Sequence, residues 1–298
     1  MIQLLQPDHW TDYELLDCGN FEKLERFGNY VLIRPEPQAI WERKWPSTKW
    51  EEMAHARFVR TKKQNFDQDE NASGGWTMLK KMPQRWNIIY NNSNFEIKLK
   101  LSLTSFGHIG VFPEQACNWD YIYHQLKEKP GERKSVLNLF AYTGAASLAA
   151  RAAGADVVHL DSVKQVVTWA NENMELSGLD NIRWVVEDAL TFVKREVKRG
   201  KKYHAIIMDP PAYGRGPTGE KWTLQTGLPE MMDAVAKLLH TECSFFVLNL
   251  YSMGFSSLIG RNMADQAFPG IPKESGEFYL HAKSGVDLPL GTFLRFSI

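Results

Sequence analysis

The sharpest chemical signal in the chain is an acid followed by two prolines and an aromatic, Asp209-Pro210-Pro211-Ala212-Tyr213, directly after an apolar run that ends at Met208. Two prolines fix the backbone and offer no N–H, so their carbonyls and the Asp209 carboxylate stand as acceptors beyond the strand. Tyr213 adds a flat face on which a planar substrate can stack. A proline turn leaving a sheet explains the prolines, but not acid, prolines and aromatic together. Asp209, Pro210 and Tyr213 are therefore the candidate catalytic residues. Upstream, Asn138-Leu139-Phe140-Ala141-Tyr142-Thr143-Gly144 runs from a short apolar strand into a turn whose glycine opens a helix. Such a turn aims backbone N–H groups at a ligand. It is not GxGxxG, and taken alone an ordinary strand–helix connection explains it equally well. Asp161 closes the next apolar run, where a carboxylate can accept both hydroxyls of a ribose. Asp188 closes the one after, placed to meet an adenine amino group. Each acid could instead be a helix N-cap. Three successive strand ends carrying such groups read better as one nucleoside pocket.

The elements that must position these residues are legible from about Asn118 onward. Val136–Leu139, Val157–Leu160, Ile182–Val185, Ala205–Met208 and Phe245–Leu248 are short apolar runs. Between them lie an Ala-rich helix from Gly144 to Ala153, a helix from Lys164 to about Leu176 that ends at Ser177-Gly178, and a helix from Ala189 to Lys198. Strands alternating with helices imply βαβ units and a parallel sheet covered on both faces. Phe278–His281 and Thr292–Phe296 are separated by a connection too short for a helix, so they are expected to form an antiparallel hairpin at the sheet edge. The first hundred residues differ. Tyr30–Ile33 and the alternating Phe95–Leu101 read as strands, broken by Asn71-Ala72-Ser73-Gly74-Gly75 and Asn91-Asn92-Ser93-Asn94, with Glu42 to Arg60 unassigned between strands. The expected fold is α/β: a Rossmann-like, mostly parallel sheet with a C-terminal antiparallel hairpin over residues 105–298, preceded by a small, mainly β domain over residues 1–104. No internal repeat is visible.

Composition narrows the function classes. The 298 residues are 44% hydrophobic and 23% charged, the balance of a globular chain. Lys and Arg equal Asp and Glu at 35 each, so no global basic field advertises a nucleic-acid partner. No run approaches ~18 uninterrupted apolar residues, and the start lacks the pattern of a signal peptide, so neither membrane spanning nor secretion is expected. Cys18, Cys117 and Cys243 are far apart, with no CxxC and no Cys/His cluster. That argues against a metal site and for a reducing, cytoplasmic setting. Nothing in the pattern fixes an oligomeric state.

The order of these motifs resembles class I S-adenosylmethionine-dependent methyltransferases. Asn138–Gly144 and Asp209-Pro210-Pro211 resemble the subgroup related to bacterial large-subunit ribosomal RNA cytosine-5 methyltransferases. Phe106-Gly107-His108-Ile109-Gly110-Val111-Phe112-Pro113-Glu114-Gln115 looks like that subgroup's cofactor-contacting approach to the catalytic domain. The match runs from about Ser105 to the C-terminus. The resemblance implies S-adenosylmethionine as cofactor, with Phe140, Tyr142, Thr143 and Gly144 on its methionine side and Asp161 on the ribose. It places Ser162 beside the adenine, Asp188 and Ala189 at the adenine edge, and Asp209 near the transferred methyl. Phe112 and Gln115 would close the pocket from the N-terminal side, although Phe112 is nearly as well explained as a core residue at the domain junction.

One departure bears on mechanism. Methylation of a pyrimidine carbon uses a cysteine thiolate that adds to the ring, expected just after the fifth strand. That place reads Asn249-Leu250-Tyr251-Ser252. Cys243 precedes the strand and belongs at its opposite end, and Cys117 precedes the sheet. Direct transfer to an amine, ring nitrogen or hydroxyl needs chiefly an in-line arrangement. The Asp-Pro-Pro-Ala-Tyr order resembles the acid-Pro-Pro-aromatic signature of amino-methylating enzymes with one residue inserted. The expected function is methylation of RNA, ribosomal in the first place, with small-molecule or protein methylation and a non-catalytic binding module as alternatives. A dehydrogenase is disfavoured by the missing GxGxxG. Lys80, Lys81 and Arg85, interleaved with Trp76 and Trp86, could grip RNA, although a solvated loop over core tryptophans explains them slightly better. The cluster Lys194, Arg195, Lys198, Arg199, Lys201 and Lys202 suits the C-terminus of a helix.

Overall fold

The computed structural model describes residues 2–7, 10–60, 74–128, 134–251 and 256–298. In the N-terminal part, Tyr13–Gly19, Glu22–Phe27 and Tyr30–Pro35 form an antiparallel meander, extended by Ala56–Arg60 and Gly74–Met78. The unassigned 42–60 segment thus holds a strand, together with a short helix, Ser47–Met53, that buries Trp50. A separate hairpin pairs Arg85–Asn91 with Glu96–Ser102. Its period-2 pattern is realised: Trp86, Ile88, Tyr90, Ile97, Leu99 and Leu101 all face inward. The expected breaker is a turn in which the Asn91 and Asn92 side chains accept from Ser93, Asn94 and Phe95 backbone N–H groups.

The larger sheet contains seven strands that we number β1 (Ser135–Leu139), β2 (Asp156–Asp161), β3 (Ile182–Val186), β4 (Ala205–Met208), β5 (Phe245–Leu250), β6 (Glu274–His281) and β7 (Asp287–Ser297). Their spatial order is 6-7-5-4-1-2-3. Strands β1 to β5 are parallel, and β7 runs antiparallel to both β5 and β6, as the short connection requires. Beyond β6 the sheet gains Gln3–Leu5 as a parallel edge strand, which the sequence pattern does not announce. The helices are α1 (Ala116–Glu128), α2 (Ala145–Ala152), α3 (Lys164–Leu176), α4 (Ala189–Lys198), α5 (Leu224–Leu238) and α6 (Ser257–Ala267). None among the described residues is long and apolar enough to cross a membrane.

Alternate strand residues feed two hydrophobic layers. Val136, Ala205, Ile207 and Val247 pack with α1 and α2, while Leu137, Ile206, Met208 and Leu248 pack with α4 and α5. That is why these strands read as continuous apolar runs. From β1 the chain moves outward to β2 and β3, then returns past β1 to β4. The order therefore reverses between β1 and β4, and the C-terminal ends of those two strands open the crevice where such sheets bind ligands. The 85–102 hairpin docks beside it on α3: Lys98 and Lys100 N–H donate to Ser177 Oγ (2.9 Å) and Asn173 Oδ1 (2.8 Å), and Trp169 Nε1 donates to the Lys100 carbonyl (2.8 Å).

Candidate cofactor and methyl-transfer site

The turn after β1 is wound left-handed three times in five residues, at Phe140 (φ 56°), Tyr142 (φ 49°) and Gly144 (φ 93°). For a non-glycine residue that conformation costs ~1–2 kcal/mol, so the surroundings must impose it. Ala141 N–H donates to Leu160 O (3.0 Å) and Tyr142 N–H to Asp161 Oδ2 (3.0 Å). Thr143 Oγ1 donates to Gly110 O (2.7 Å), and Asn173 Nδ2 donates to Thr143 O (2.9 Å). Beneath the turn, Asn138 Nδ2 donates to Ser147 Oγ (2.9 Å), which sits 3.0 Å from His159 Nδ1. Burial pushes the His159 pKa down to about 3, so the ring is neutral. At Gly144 an added Cβ would lie 3.0 Å from the Ala170 Cβ, so glycine answers both the dihedral and the close approach of α3. Asp161 also accepts from Val163 N–H through Oδ1 (3.0 Å). Its carboxyl therefore braces the turn from below; burial raises its pKa, and the backbone donors counter part of that rise.

Two clefts flank Phe140. One, of about 310 Å³, is lined by Phe140, Leu160, Ser162, Asp188, Ala189 and Trp222, among others. The other, of about 450 Å³, is lined by Phe112, Gln115, Asn138, Tyr142 to Ala146, Asp209 and Asn249, among others. The first, the slot, is bordered by the rings of Phe140 and Trp222 with Glu187 and Asp188 beside them; the second, the chamber, is largely apolar with Gln115, Asn138, Thr143, Asp209 and Asn249 as its polar groups. That pairing suits a nucleoside joined to an amino-acid tail. Of the expected site residues, Phe140, Ser162, Asp188 and Ala189 meet in the first cleft, and Phe112, Gln115, Tyr142, Thr143, Gly144 and Asp209 in the second. Asp161 is half-exposed at the end of β2 and is not among the residues that line either cleft. Asp188 is the N-cap of α4, its Oδ1 accepting from Thr191 N–H (2.8 Å), so the cap explanation holds while the residue still borders the cleft. Pro210 is buried, and it is Pro211 that lines the slot. Tyr213 stands on a small hairpin of Tyr213–Arg215 and Lys221–Thr223, is 46% exposed, and accepts from Arg215 Nε at 3.3 Å. It lines neither cleft.

The aromatic that does line the slot is Trp222. Its ring lies 5.0 Å from that of Phe140, and its Nε1 donates to Pro211 O (2.8 Å). The prolines thus supply an acceptor, as their chemistry dictates, but to a tryptophan eleven residues on. Asn249 is a second residue that sequence spacing does not flag. It is buried at the end of β5, and its Oδ1 accepts from Asn118 Nδ2 of α1 at 2.7 Å. Tyr251 is described but Ser252 lies outside the described residues. Cys243 is exposed at the opposite end of β5, and Cys117 is half-buried in α1. Among the described residues no cluster of three or more His, Cys, Asp or Glu side chains is arranged for a metal.

The electrostatics of the chamber centre on buried acids. Burial alone raises the Asp209 pKa to about 7. Glu114, on the turn between Phe112 and Gln115, is also pushed up to about 7, by burial first; Lys23 pulls it down and Asp209 adds to the rise. Behind Glu114 the N-terminal meander carries a buried ion network: Arg34 pairs with Glu25 (2.7 Å) and Lys23 with Glu36 (3.1 Å). His108 is driven down to about 4 by burial and by Arg34, Lys23 and Arg60. Its ring lies 5.6 Å from Phe112, whose ring lies 5.3 Å from Tyr142. Phe112 therefore both packs at the junction and closes the chamber.

Comparison with known proteins places this geometry. A family model described as S-adenosylmethionine-dependent methyltransferase matches residues 59–243. A SAM-dependent methyltransferase structure from Agrobacterium tumefaciens is 35% identical, with a TM-score of 0.89 over 99% of this chain and 93% of that one. A methyltransferase complexed with SAH shares the fold at 17% identity, with a TM-score of 0.72 over 96% of this chain and 76% of that one. Ribosomal RNA large subunit methyltransferase K/L of Shewanella frigidimarina is 34% identical over 146 residues, 48% of this chain. The chain spans only 20% of that relative's length. With the family model covering more than half of the sequence and the Agrobacterium structure matched along nearly all of it, the chain belongs to the S-adenosylmethionine-dependent methyltransferase family.

Proposed function

We propose that this protein methylates RNA, with ribosomal RNA as the first candidate, by direct transfer and without a cysteine adduct. The cofactor supplies an electrophilic methyl group on a sulfonium. The observation that carries the reading is Asp209: a half-buried carboxyl just beyond β4 that lines the second cleft, with an asparagine at the end of β5 near the place where the covalent mechanism needs a thiolate. In this reading Trp222, Phe140, Ser162, Asp188 and Ala189 hold the adenosine, and Asp161 braces the turn and meets the ribose. Tyr142, Thr143, Gly144, Phe112 and Gln115 enclose the methionine part. Asp209 accepts a hydrogen bond from the attacking amine or hydroxyl and then its proton, which its raised pKa suits at neutral pH. The Pro210-Pro211 turn fixes that carboxyl in place. Tyr213, exposed beside the slot, is kept as a stacking surface for a flipped base. RNA as substrate is supported by the names of the partial relatives. We assign residues 105–298 to catalysis, residues 1–104 to substrate presentation, and the protein to the cytoplasm.

The test is transfer of labelled methyl from S-adenosylmethionine into total RNA of a strain lacking the protein, with protein and small-molecule extracts alongside. Label in RNA that is lost in Asp209→Ala supports the reading. Label confined to another fraction overturns the substrate while keeping the enzyme class. Label nowhere, despite binding of S-adenosylhomocysteine, points to the non-catalytic module.

A further inference from the structure

Phe106 is 50% exposed, with Phe21 and Tyr213 one of the exposed aromatics among the described residues. It is not on a loose loop. Its neighbour Gly107 offers its carbonyl to Arg34 Nη1 (3.3 Å) and packs its backbone against the Phe58 ring, and the Ser105 carbonyl accepts from Gly74 N–H (2.8 Å). Gly74 in turn pairs across the ladder with Arg60. Arg60 and the loop carrying Phe106 thus come to one edge of the N-terminal sheet. Arg60 is exposed, makes no ion pair among the described residues, and lies close enough to His108 to lower its pKa. Two residues on from Phe106 begins a series of rings, His108, Phe112 and Tyr142, that succeed one another at 5.6 and 5.3 Å, the last two lining the second cleft. An anchored, exposed ring beside a cation without an ion pair among the described residues, two residues ahead of an aromatic series that reaches the second cleft, has the chemistry of a single-stranded nucleic-acid subsite: stacking for one base and a positive charge for its phosphate.

We propose that Phe106 and Arg60 bind the nucleotide adjacent to the one that is methylated, Phe106 by stacking and Arg60 through the backbone phosphate. The proposal rests on the RNA reading above. It explains how a chain with no net charge selects RNA: by a local pair at the mouth and not by a global field. It also leaves Lys80 and Lys81 as ordinary exposed cations, since Trp86 beside them is buried with its Nε1 on the Phe27 carbonyl.

The experiment measures affinity for a fluorescent single-stranded RNA 20-mer of mixed sequence as a function of salt, and methyl transfer into total RNA, for wild type, Phe106→Ala, Phe106→Tyr and Arg60→Ala. Phe106→Ala is expected to bind RNA about tenfold more weakly, with S-adenosylhomocysteine affinity unchanged. Phe106→Tyr keeps the stack and stays near wild type. Arg60→Ala lowers the slope of log affinity against log salt by about 0.7, as one lost phosphate contact on a single strand requires. If the wild type transfers methyl to RNA while Phe106→Ala binds RNA unchanged, the subsite is overturned and the RNA reading stands. If the wild type neither binds nor methylates RNA, both fall.

Discussion

Replacing Asp209 by asparagine should stabilise the protein while abolishing transfer, and the stabilisation should depend on pH in a defined way. In the fold this carboxyl titrates at about 7, against 3.8 for an ordinary aspartate, because burial penalises its charged form. A raised acid leaves stability intact below the unfolded pKa and loses it as pH climbs toward the folded one, because the unfolded chain ionises first. At 1.36 kcal/mol for each pKa unit, the full penalty is ~4 kcal/mol. Asparagine does not ionise. The variant's advantage should therefore be about 0.5 kcal/mol near pH 4 and grow to ~4 kcal/mol near pH 8, with most of the rise between about pH 4 and 7. Urea unfolding of both proteins across that range, read as the difference between them, isolates Asp209 from the groups they share. Glu114 senses Asp209, so it adds a little to the same difference and with the same sign. Methyl transfer by the wild type should rise through about pH 7 as the acceptor ionises. A stability difference that stays flat with pH, or a variant less stable throughout, would refute the claim that burial raises the Asp209 pKa.

Three further outcomes follow from the turn and the slot. Asp161→Ala removes the acceptors for Tyr142 and Val163 N–H, so affinity for S-adenosylhomocysteine by titration calorimetry should fall at least about tenfold. Asp161→Asn, with one amide oxygen left, should fall in between. Gly144→Ala faces both a left-handed φ and the Ala170 Cβ, and should lose cofactor binding along with ~1–2 kcal/mol or more of stability. Gly154→Ala, at φ +97° in open space, should lose only the ~1–2 kcal/mol of stability, which makes it the control in thermal melts. Trp222→Ala should destabilise by roughly 3–5 kcal/mol and raise the cofactor KM more than it lowers kcat, because the ring packs on Phe140 and lines the first cleft, whereas Asp209 lines the second. Equal falls in both kinetic constants would place Trp222 at the reacting atoms instead.

The sheet was legible because each buried parallel strand is a continuous apolar run and each helix between them has a recognisable limit. The runs at Ala205–Met208, Lys164–Leu176 and Ala189–Lys198 coincide with β4, α3 and α4 to the residue. Helix α1 was not legible: Cys117, Asn118, Asp120 and three aromatics fill its first turns, and its length shows only once it packs on α2. Gln3–Leu5 escaped for another reason. Three residues carry no periodicity, and the partner strand begins at Glu274. At the site, the acids at the strand ends could be picked out because polar residues there interrupt apolar runs. Trp222 and Asn249 could not, since what makes them notable is a neighbour brought up by folding, Pro211 in one case and Asn118 in the other. The left-handed Phe140 and Tyr142 run against local preference altogether. Only the bonds from Leu160 and Asp161 make them legitimate.

That conflict between local preference and fold clarifies what the chamber is built to do. The turn holds two bulky residues in a conformation they avoid, and the adjacent strand end holds a carboxyl where it is hard to ionise. Neither feature helps the protein fold. In the proposed function both fix groups before a substrate arrives: the turn would hold the walls around the methionine part, and burial sets the Asp209 pKa at about 7, so that its ionised form can take a proton near neutral pH. Asn249 fits the same logic. Its amide is held by Asn118, so it can orient a substrate but cannot attack one. A thiolate in its place would need an electrophilic ring carbon to add to. On the proposed function, the pair Asp209 and Asn249 would ask only for a nucleophile that carries its own lone pair and a proton to give up, conditions that an exocyclic amine on a flipped base would meet.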